Sequence, residues 1–581
     1  MPVDWRAKMA DFSTRVRFGV SLLVLAGSVS GALAIDQYSP PASYYAGATG
    51  TGAALKTQLT VAMAAGHTQR TYGDFRSSAR YHDMDPNNAS RILLGYSRAS
   101  VSYNWDSGAT WNREHIWPQS RQPGSASNGT RGNMGDPHSL LPMNPGVNSS
   151  RGNKPYGNVT TTGNFGSQGT FYFPGDEDKG DVARSLFYSA TRYSSSGLTL
   201  VNGVPSGNQM GDLASLITWH FTDAPDTFER RRNHVIYHND ANTSFSAGNR
   251  NAYIDRPEYA WSVFMDQEND TTLWLGDLEP SDGASTIDIN INALTGHAIS
   301  PMQFTLNKSG NDGTYYQVQA SDGLSPSVTG RHNAFPMSPV NLSQSITLNV
   351  DIGVTLFAGA FSGDMTIDNL DVTTEGGAGN GANDVNDMVF VNVDVFNPTN
   401  GSFEGGADTN ELSLDLGTVS LGSGDFSQSF SFFNIADGGV FGAPMDVELI
   451  SSSGDTGVIT TDFLATNSIE SGESAGFEAT ISAADEGAFS ASFTFLVYND
   501  RGLFGSLAAA DELILDVSGV VSKGGCPVDF AEPMGELDFF DVSAFLDLFG
   551  AQDAAADLTG DGEWDFFDVS AFLDVFGAGC P

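Results

Sequence analysis

The chain has 581 residues, 66 of them glycine, and 27 Lys+Arg stand against 69 Asp+Glu for a formal net charge of -42. That length exceeds what one hydrophobic core organises, so roughly three to four domains are expected. Spread evenly, such a charge would repel a polyanion and exclude nucleic acid as a partner. The charge is uneven, so the exclusion applies to only part of the chain.

Residues 1–34 read as an export signal. Arg6, Lys8, Arg15 and Arg17 precede an apolar run at 18–33 that Gly and Ser interrupt, and Ala32-Leu33-Ala34 suits small-residue cleavage. A membrane anchor is the competing reading, disfavoured because the run falls short of about 18 residues. The mature chain is expected to be secreted, extracellular or associated with the cell surface, with no integral membrane span.

Residues 35–265 hold 19 Lys+Arg, 18 Asp+Glu and seven of the nine histidines. Helical stretches at 53–65 and 212–220 alternate with short polar turns, an α+β texture. Residues 266–581 hold four basic residues (Lys308, Arg331, Arg501, Lys523) against 49 acidic ones. From about 266–285 onward, period-two segments such as 286–291 (TIDINI), 345–352 (SITLNVDI) and 490–497 (SASFTFLV) signal antiparallel strands. Their spacing predicts β-sandwich modules at 278–375 and 385–521, joined by a Gly/Asn-rich linker at 376–386. The loop Asn383-Asp384-Val385-Asn386-Asp387 has the composition of a calcium loop, but a solvated turn is the preferred reading.

The last 56 residues contain a repeat: 536–551 (ELDFFDVSAFLDLFGA) returns as 563–578 (EWDFFDVSAFLDVFGA). Val542, Phe545, Leu546 and Phe549, and then Val569, Phe572, Leu573 and Phe576, each form one face of a short helix, so the two helices should pack together. Before the second copy, oxygen-bearing side chains at Asp557, Thr559, Asp561, Asp565 and Asp568 fall at positions 1, 3, 5, 9 and 12, with Gly562 at the tight turn. That spacing predicts a calcium ion in this loop. The first copy, Asp529 to Asp541, is one residue longer and carries Pro533 and Met534 where ligands belong, so it is degraded. The two cysteines, Cys526 and Cys580, bracket the repeat, and export permits a disulfide between them. The module at 524–581 resembles a duplicated dockerin-type loop-helix module, which implies a cell-surface or scaffold partner.

The chemistry concentrates at 111–120 (WNREHIWPQS) and 135–157 (GDPHSLLPMNPGVNSSRGNKPYG), with further polar blocks at 227–239 and 248–261. Phosphodiester hydrolysis needs a base to activate water, a hard cation, and positive charge near the phosphorane. His115 can be the base at neutral pH. Glu114 and an Asn of the second block supply oxygen ligands of the kind magnesium takes.

These blocks resemble the endonuclease I family of the His-Me finger (ββα-metal) superfamily. The family's Glu-His-x-x-Pro reads here as Glu114-His115-Ile116-Trp117-Pro118, and its Asp-x-His-x-Leu-x-Pro as Asp136 through Pro142. Val147-Asn148 and Arg151-Gly152-Asn153 follow in order. The resemblance implies a hairpin-loop-helix over 111–155 and a secreted, metal-dependent nuclease acting on DNA and also RNA. His115 is then the general base, and Glu114 and Asn148 ligate Mg2+, with Ca2+ or Mn2+ as substitutes. Arg131 is the candidate contact to the scissile phosphate, and Arg113, Arg151 and Asn153 are candidate substrate-binding residues. Arg151 and Asn153 serve equally well as braces of the helix. His138 is read as a loop-orienting residue and Arg230-Arg231-Arg232 as a backbone contact. His234 and His238, four apart but without a third ligand, are read as a helix surface.

The fold class expected is therefore multidomain: an α+β His-Me finger nuclease domain at 35–265, all-β sandwich modules, and a small α-helical dockerin-like repeat. The acidic tail is expected to be held away from the cleft on a linker at 266–285. Two other functions compete: a binding protein on a decayed nuclease fold, which the joint presence of Glu114, His115 and Asn148 opposes, and a secreted metalloprotease, which lacks its zinc motif.

Overall fold

The computed structural model describes residues 37–157, 162–238, 243–265, 267–280, 284–370, 384–437, 439–506 and 508–579. The export-signal segment 1–34, Asn383 and Cys580 lie outside them. No helix among the described residues is long and apolar enough to cross a membrane.

Helix Lys179–Arg192 runs through the middle of the N-terminal region and buries residues on every side, including Arg184. A helix submerged all round cannot be amphipathic, and its charges must be matched internally. Arg184 Nε reaches both carboxylate oxygens of Glu229 at 2.8 Å. The same device recurs at Arg232–Asp83 (2.7 Å) and Arg250–Asp255 (2.7 Å). Around the central helix pack Gly52–Ala64, through Leu55, Leu59 and Met63, and Leu213–Thr222, through Leu216, Ile217 and Trp219. Asp212, Asp226 and Asn251 cap helix N-termini by accepting amide hydrogens from Ser215, Glu229 and Tyr253.

Two β-sandwiches follow, and they share one plan. In the first, a five-stranded sheet runs in the order Thr286–Leu294, Asp387–Phe396, Gly359–Asn369, Thr314–Ala320, Gly330–Phe335. It faces a four-stranded sheet ordered Thr272–Leu275, Met302–Ser309, Leu342–Val350, Leu324–Pro326. In the second, the five-stranded order is Glu411–Ser420, Ala509–Ser522, Gly487–Asn499, Met445–Gly454, Thr466–Ile469. Its companion sheet is Gly401–Ser402, Phe426–Asn434, Ser474–Ile481, Ile459–Thr461. Strand for strand the topologies are identical, down to the parallel pairing of the second strand of each module with its last.

This topology moves the expected boundaries. The segment 266–285 is not only a linker, because Thr272–Leu275 pairs antiparallel with Met302–Ser309 as an edge strand. The segment 376–386 does not separate modules, because the strands on either side of it, Gly359–Asn369 and Asp387–Phe396, are antiparallel neighbours in one sheet. The change of module falls after Phe396. Asp384 accepts from Leu273 N at 2.7 Å and Asn369 Nδ2 at 2.8 Å, and buried Asp387 accepts from Ser285 N at 2.8 Å. These carboxylates clamp the module's N-terminal segment to its last strand.

The first sandwich is not tethered loosely to the N-terminal region. Tyr315 and Leu370 are buried within the N-terminal core. The Tyr315 hydroxyl donates to the His220 carbonyl, His332 Nε2 lies 3.0 Å from the Ile254 carbonyl, and Arg331 pairs with Glu258. A Cβ at Gly313 would meet the Phe221 ring at 2.5 Å, so only glycine permits this approach. His220 and His332 are both held neutral, their pKa values lowered to about 3 first by burial.

In the C-terminal repeat, helices Phe539–Gly550 and Phe566–Ala578 pack through Phe545 and Phe572, whose rings stack at 4.1 Å. Leu546 and Leu573, expected in the same packed face, are 55% and 57% exposed because the close ring stack leaves them at its margin. Asp541 and Asp568 are buried and each closes a capping box, with Asp538 and Asp565 respectively. In the loop, Asp557 accepts amide hydrogens from Gly560, Asp561 and Gly562, Asp561 accepts from Glu563 N, and Asp568 accepts from Thr559 N. Among the described residues, no three His, Cys, Asp or Glu side chains converge as a metal cluster. Cys526 is disulfide-bonded.

Because Tyr315 fills the N-terminal core from the sandwich side, Tyr315→Ala in the full chain should destabilise the N-terminal region by about 3 kcal/mol, as truncation of a buried aromatic does. Circular dichroism melting reads this directly. An unchanged first transition would mean the two units fold independently.

Candidate active site

Strand Asn112–His115 pairs antiparallel with Leu140–Met143, with Asn112 opposite Met143 and His115 opposite Leu140. Helix Pro145–Arg151 begins at once after the hairpin. Asn144 caps it by accepting from Gly146 N (2.9 Å) and Val147 N (3.2 Å), and Pro145 sits at the first helical position, where no amide hydrogen is needed. This is the hairpin-loop-helix expected over 111–155. Alternation along the strand sends Asn112 and Glu114 to the helix side and Arg113 and His115 to the opposite side.

On the helix side, Glu114 is 2% exposed and meets Arg151 Nη1 at 3.1 Å. Arg151, also buried, donates to the carbonyls of His115 (3.0 Å) and Ile116 (2.7 Å) and lies over the Tyr156 ring. The Tyr96 and Tyr156 hydroxyls lie 2.5 Å apart beside this pair. Burial pushes the Glu114 carboxyl up to about 7, while Arg151 and Tyr96 pull it down. Asn148 Nδ2 donates to Asn112 Oδ1 at 2.8 Å, which turns its amide oxygen away from Asn112. Glu114 and Asn148 therefore belong to the same side of the strand, the first with a carboxylate and the second with a side-chain amide. This all-oxygen set suits magnesium, which keeps most of its own waters.

On the other side, His115 Nε2 lies 3.0 Å from the Met134 carbonyl. A carbonyl only accepts, so Nε2 carries the hydrogen and Nδ1 carries the lone pair. Gln119 Nε2 lies 3.4 Å from Nδ1. Burial, reinforced by Arg113 and Arg151, lowers the imidazole pKa to about 4, so the ring is neutral at physiological pH. The Tyr72 ring stacks on it at 4.7 Å. A neutral imidazole with a fixed tautomer is what proton abstraction from water requires.

Several expected site residues are placed elsewhere. Arg151 is 1% exposed, with its guanidinium on Glu114 and two carbonyls, contacts that belong to the brace of the two roles open to it. Arg131 is exposed and donates to the Gln69 carbonyl, with no bond to Glu114, His115 or Asn148. Asn153 is exposed and its Nδ2 lies 3.3 Å from Ser120 Oγ. Arg232 is buried on Asp83, and Arg231 donates to the Tyr81 carbonyl, so these two of the arginine triplet are structural. His138 is buried, 3.2 Å from the Asn249 carbonyl, and holds its loop as expected. Asn112, Gln119, Tyr72 and Tyr96 were not singled out from the sequence. The two-residue spacing of Asn112 from Glu114 on a strand was the available signal for the first.

Residues 51–258 match the Endonuclease I family model. The chain is 34% identical over 281 residues to an extracellular ribonuclease of Bacillus subtilis (strain 168), covering 93% of that protein and 45% of this chain. The chain belongs to the endonuclease I family. It is also 37% identical over 237 residues to an extracellular ribonuclease of Bacillus amyloliquefaciens, covering 78% of that protein and 38% of this chain. Family membership therefore rests on the N-terminal region that carries the hairpin, His115 and the helix after it. The acidic sandwiches lie outside the family match. A solved tip adhesin of Pseudomonas aeruginosa aligns with 44% of the chain at a TM-score of 0.18 and 12% identity.

A buried brace and a phosphate contact respond differently to mutation. Arg151→Met should destabilise the N-terminal region by about 3 kcal/mol in urea unfolding, because it leaves Glu114 buried without a cation. A variant of wild-type stability that only bound substrate more weakly would restore Arg151 to substrate binding.

Proposed function

We propose that this chain is a secreted endonuclease that hydrolyses phosphodiester bonds of RNA and DNA without strong sequence preference, using a divalent cation. The observation that carries the reading is the 3.0 Å approach of His115 Nε2 to the Met134 carbonyl, which makes Nδ1, in a long contact with Gln119 Nε2, the nitrogen that takes a proton. His115 Nδ1 takes the proton of the attacking water. Gln119, at 3.4 Å from that nitrogen, orients the ring edge. Glu114 and Asn148 hold the cation, magnesium or in its place calcium or manganese. Once bound, it supplies Lewis-acid stabilisation of the phosphorane and the leaving oxygen. Arg151 keeps Glu114 and the His115 carbonyl in register, and Arg113 contributes positive charge on the base side. The two Bacillus relatives, named extracellular ribonucleases, support RNA as a substrate and export as the destination. So does the basic-then-apolar N-terminus. Retention of Glu114, His115 and Asn148 in one hairpin-helix unit opposes the reading as a decayed binding protein.

We also propose that residues 524–581 attach the enzyme to a surface or scaffold partner and take calcium in the 557–568 loop. Four aspartates share this loop, and binding would replace some of their present bonds to backbone amides.

Plasmid DNA and RNA should both be cut with magnesium and spared in EDTA, and His115→Ala should lose at least about a hundredfold in rate. Undiminished cleavage by that variant would refute the assignment of the base. For the loop, millimolar calcium should raise the melting temperature of the C-terminal repeat in the full chain, because only the folded loop binds it. Asp561→Ala should abolish the increase, and a melting curve indifferent to calcium would refute the site.

A further inference from the structure

A file of alternating rings and guanidinium groups leads away from His115. After the stacked Tyr72 comes Arg113, whose Cζ lies 3.6 Å from the Tyr72 ring centroid and 5.3 Å from that of Trp105. Arg76 follows, 5.9 Å from the Trp105 ring. Arg80, one turn further along helix Phe75–His82, lies 4.3 Å from the Tyr103 ring. Arg76 and Arg80 are four apart and share a helix face. Tyr103 and Trp105 follow directly on strand Ser100–Ser102 and meet those two arginines in turn.

Two properties separate this file from ordinary packing. Arg80 is exposed and the other five residues are partly exposed, so the file borders solvent along its length. Among the described residues none of the three arginines is ion-paired with a carboxylate, whereas Arg151, Arg184, Arg232 and Arg250 all are. Unneutralised guanidinium groups interleaved with aromatic faces match the chemistry of an unpaired strand, whose phosphates need cations and whose bases need a stacking surface. A duplex offers the phosphates but keeps its base faces to itself.

We infer that Tyr72, Arg113, Trp105, Arg76, Tyr103 and Arg80 form a track for single-stranded nucleic acid that delivers its phosphodiester to His115, and that the enzyme prefers unpaired strands. This inference rests on the nuclease reading and adds the class of substrate. Trp105 stacks edge-on against buried Trp111 at 5.0 Å, which holds its ring in place.

The test measures fluorescence anisotropy of the full chain in EDTA, so that binding is read without hydrolysis. The probes are a labelled oligoribonucleotide of roughly 15 nucleotides, the same sequence as DNA, and its DNA duplex. Both single strands should bind more tightly than the duplex and within about threefold of each other, since rings and phosphates do not read the sugar. Trp105→Ala should weaken single-strand binding roughly 5- to 100-fold and duplex binding far less, and Trp105→Phe should recover most of the loss. Arg76→Gln should flatten the salt dependence by about one phosphate contact. Duplex binding equal to or tighter than single-strand binding, a wide gap between the two sugars, or an equal loss on all three probes in Trp105→Ala would each overturn the track. The two readings fail separately: a protein that binds single strands but cuts nothing with magnesium refutes only the nuclease. One that cuts but shows no single-strand preference refutes only the track.

Discussion

A cation buried between a hairpin and a helix fixes the candidate site. Arg151 cannot sit in the interior without a partner, since an unpaired buried charge costs several kcal/mol. Glu114 supplies that partner, and the carbonyls of His115 and Ile116 take up further guanidinium hydrogens. These three acceptors come from consecutive residues of one strand end, so only one docking of helix Pro145–Arg151 on the hairpin satisfies them together. The arrangement sets His115 indirectly. With its backbone held by Arg151, its ring reaches the Met134 carbonyl through Nε2 and sets Nδ1 toward Gln119.

The same economy runs through the N-terminal region. Arg184, Arg232 and Arg250 are spent internally on Glu229, Asp83 and Asp255. Arg76, Arg80 and Arg113, none of them ion-paired with a carboxylate among the described residues, gather on the His115 side. The acidic sandwich docks on a different surface, around Phe221, Ile254 and Glu258. No bond or ring contact of Glu114, His115 or Asn148 involves the tail among the described residues. Charge is separated by rigid docking through a shared core, and not by a slack linker.

The paired sandwiches show why architecture can repeat where sequence does not. Each module closes its five-stranded sheet by inserting its last strand beside its second, in parallel. That constraint asks only for alternating apolar residues of suitable length, which many sequences meet. The first core is rich in Val, Ile and Leu, while the second is built around Phe430, Phe432, Phe463, Phe493 and Phe495. The core residues differ while the pattern of pairing is the same.

The sequence by itself determined the local features. Period-two alternation marked strands and a 27-residue repeat yielded two matching helices, because each depends on neighbours within a few residues. It also showed the family, since several ordered blocks coincide. Only the tertiary structure decided which arginines were free. Arg151, Arg232 and Arg113 are chemically the same in a sequence, and their difference lies in carboxylates, carbonyls and rings brought from distant positions. Only the fold decided where the modules divide, because strand pairing between 286–294 and 387–396 spans about a hundred residues of chain and leaves no local mark. The tail's seat on the N-terminal core was equally hidden, since it turns on one glycine at 313 and one tyrosine at 315 that look ordinary until Phe221 and His220 are placed against them.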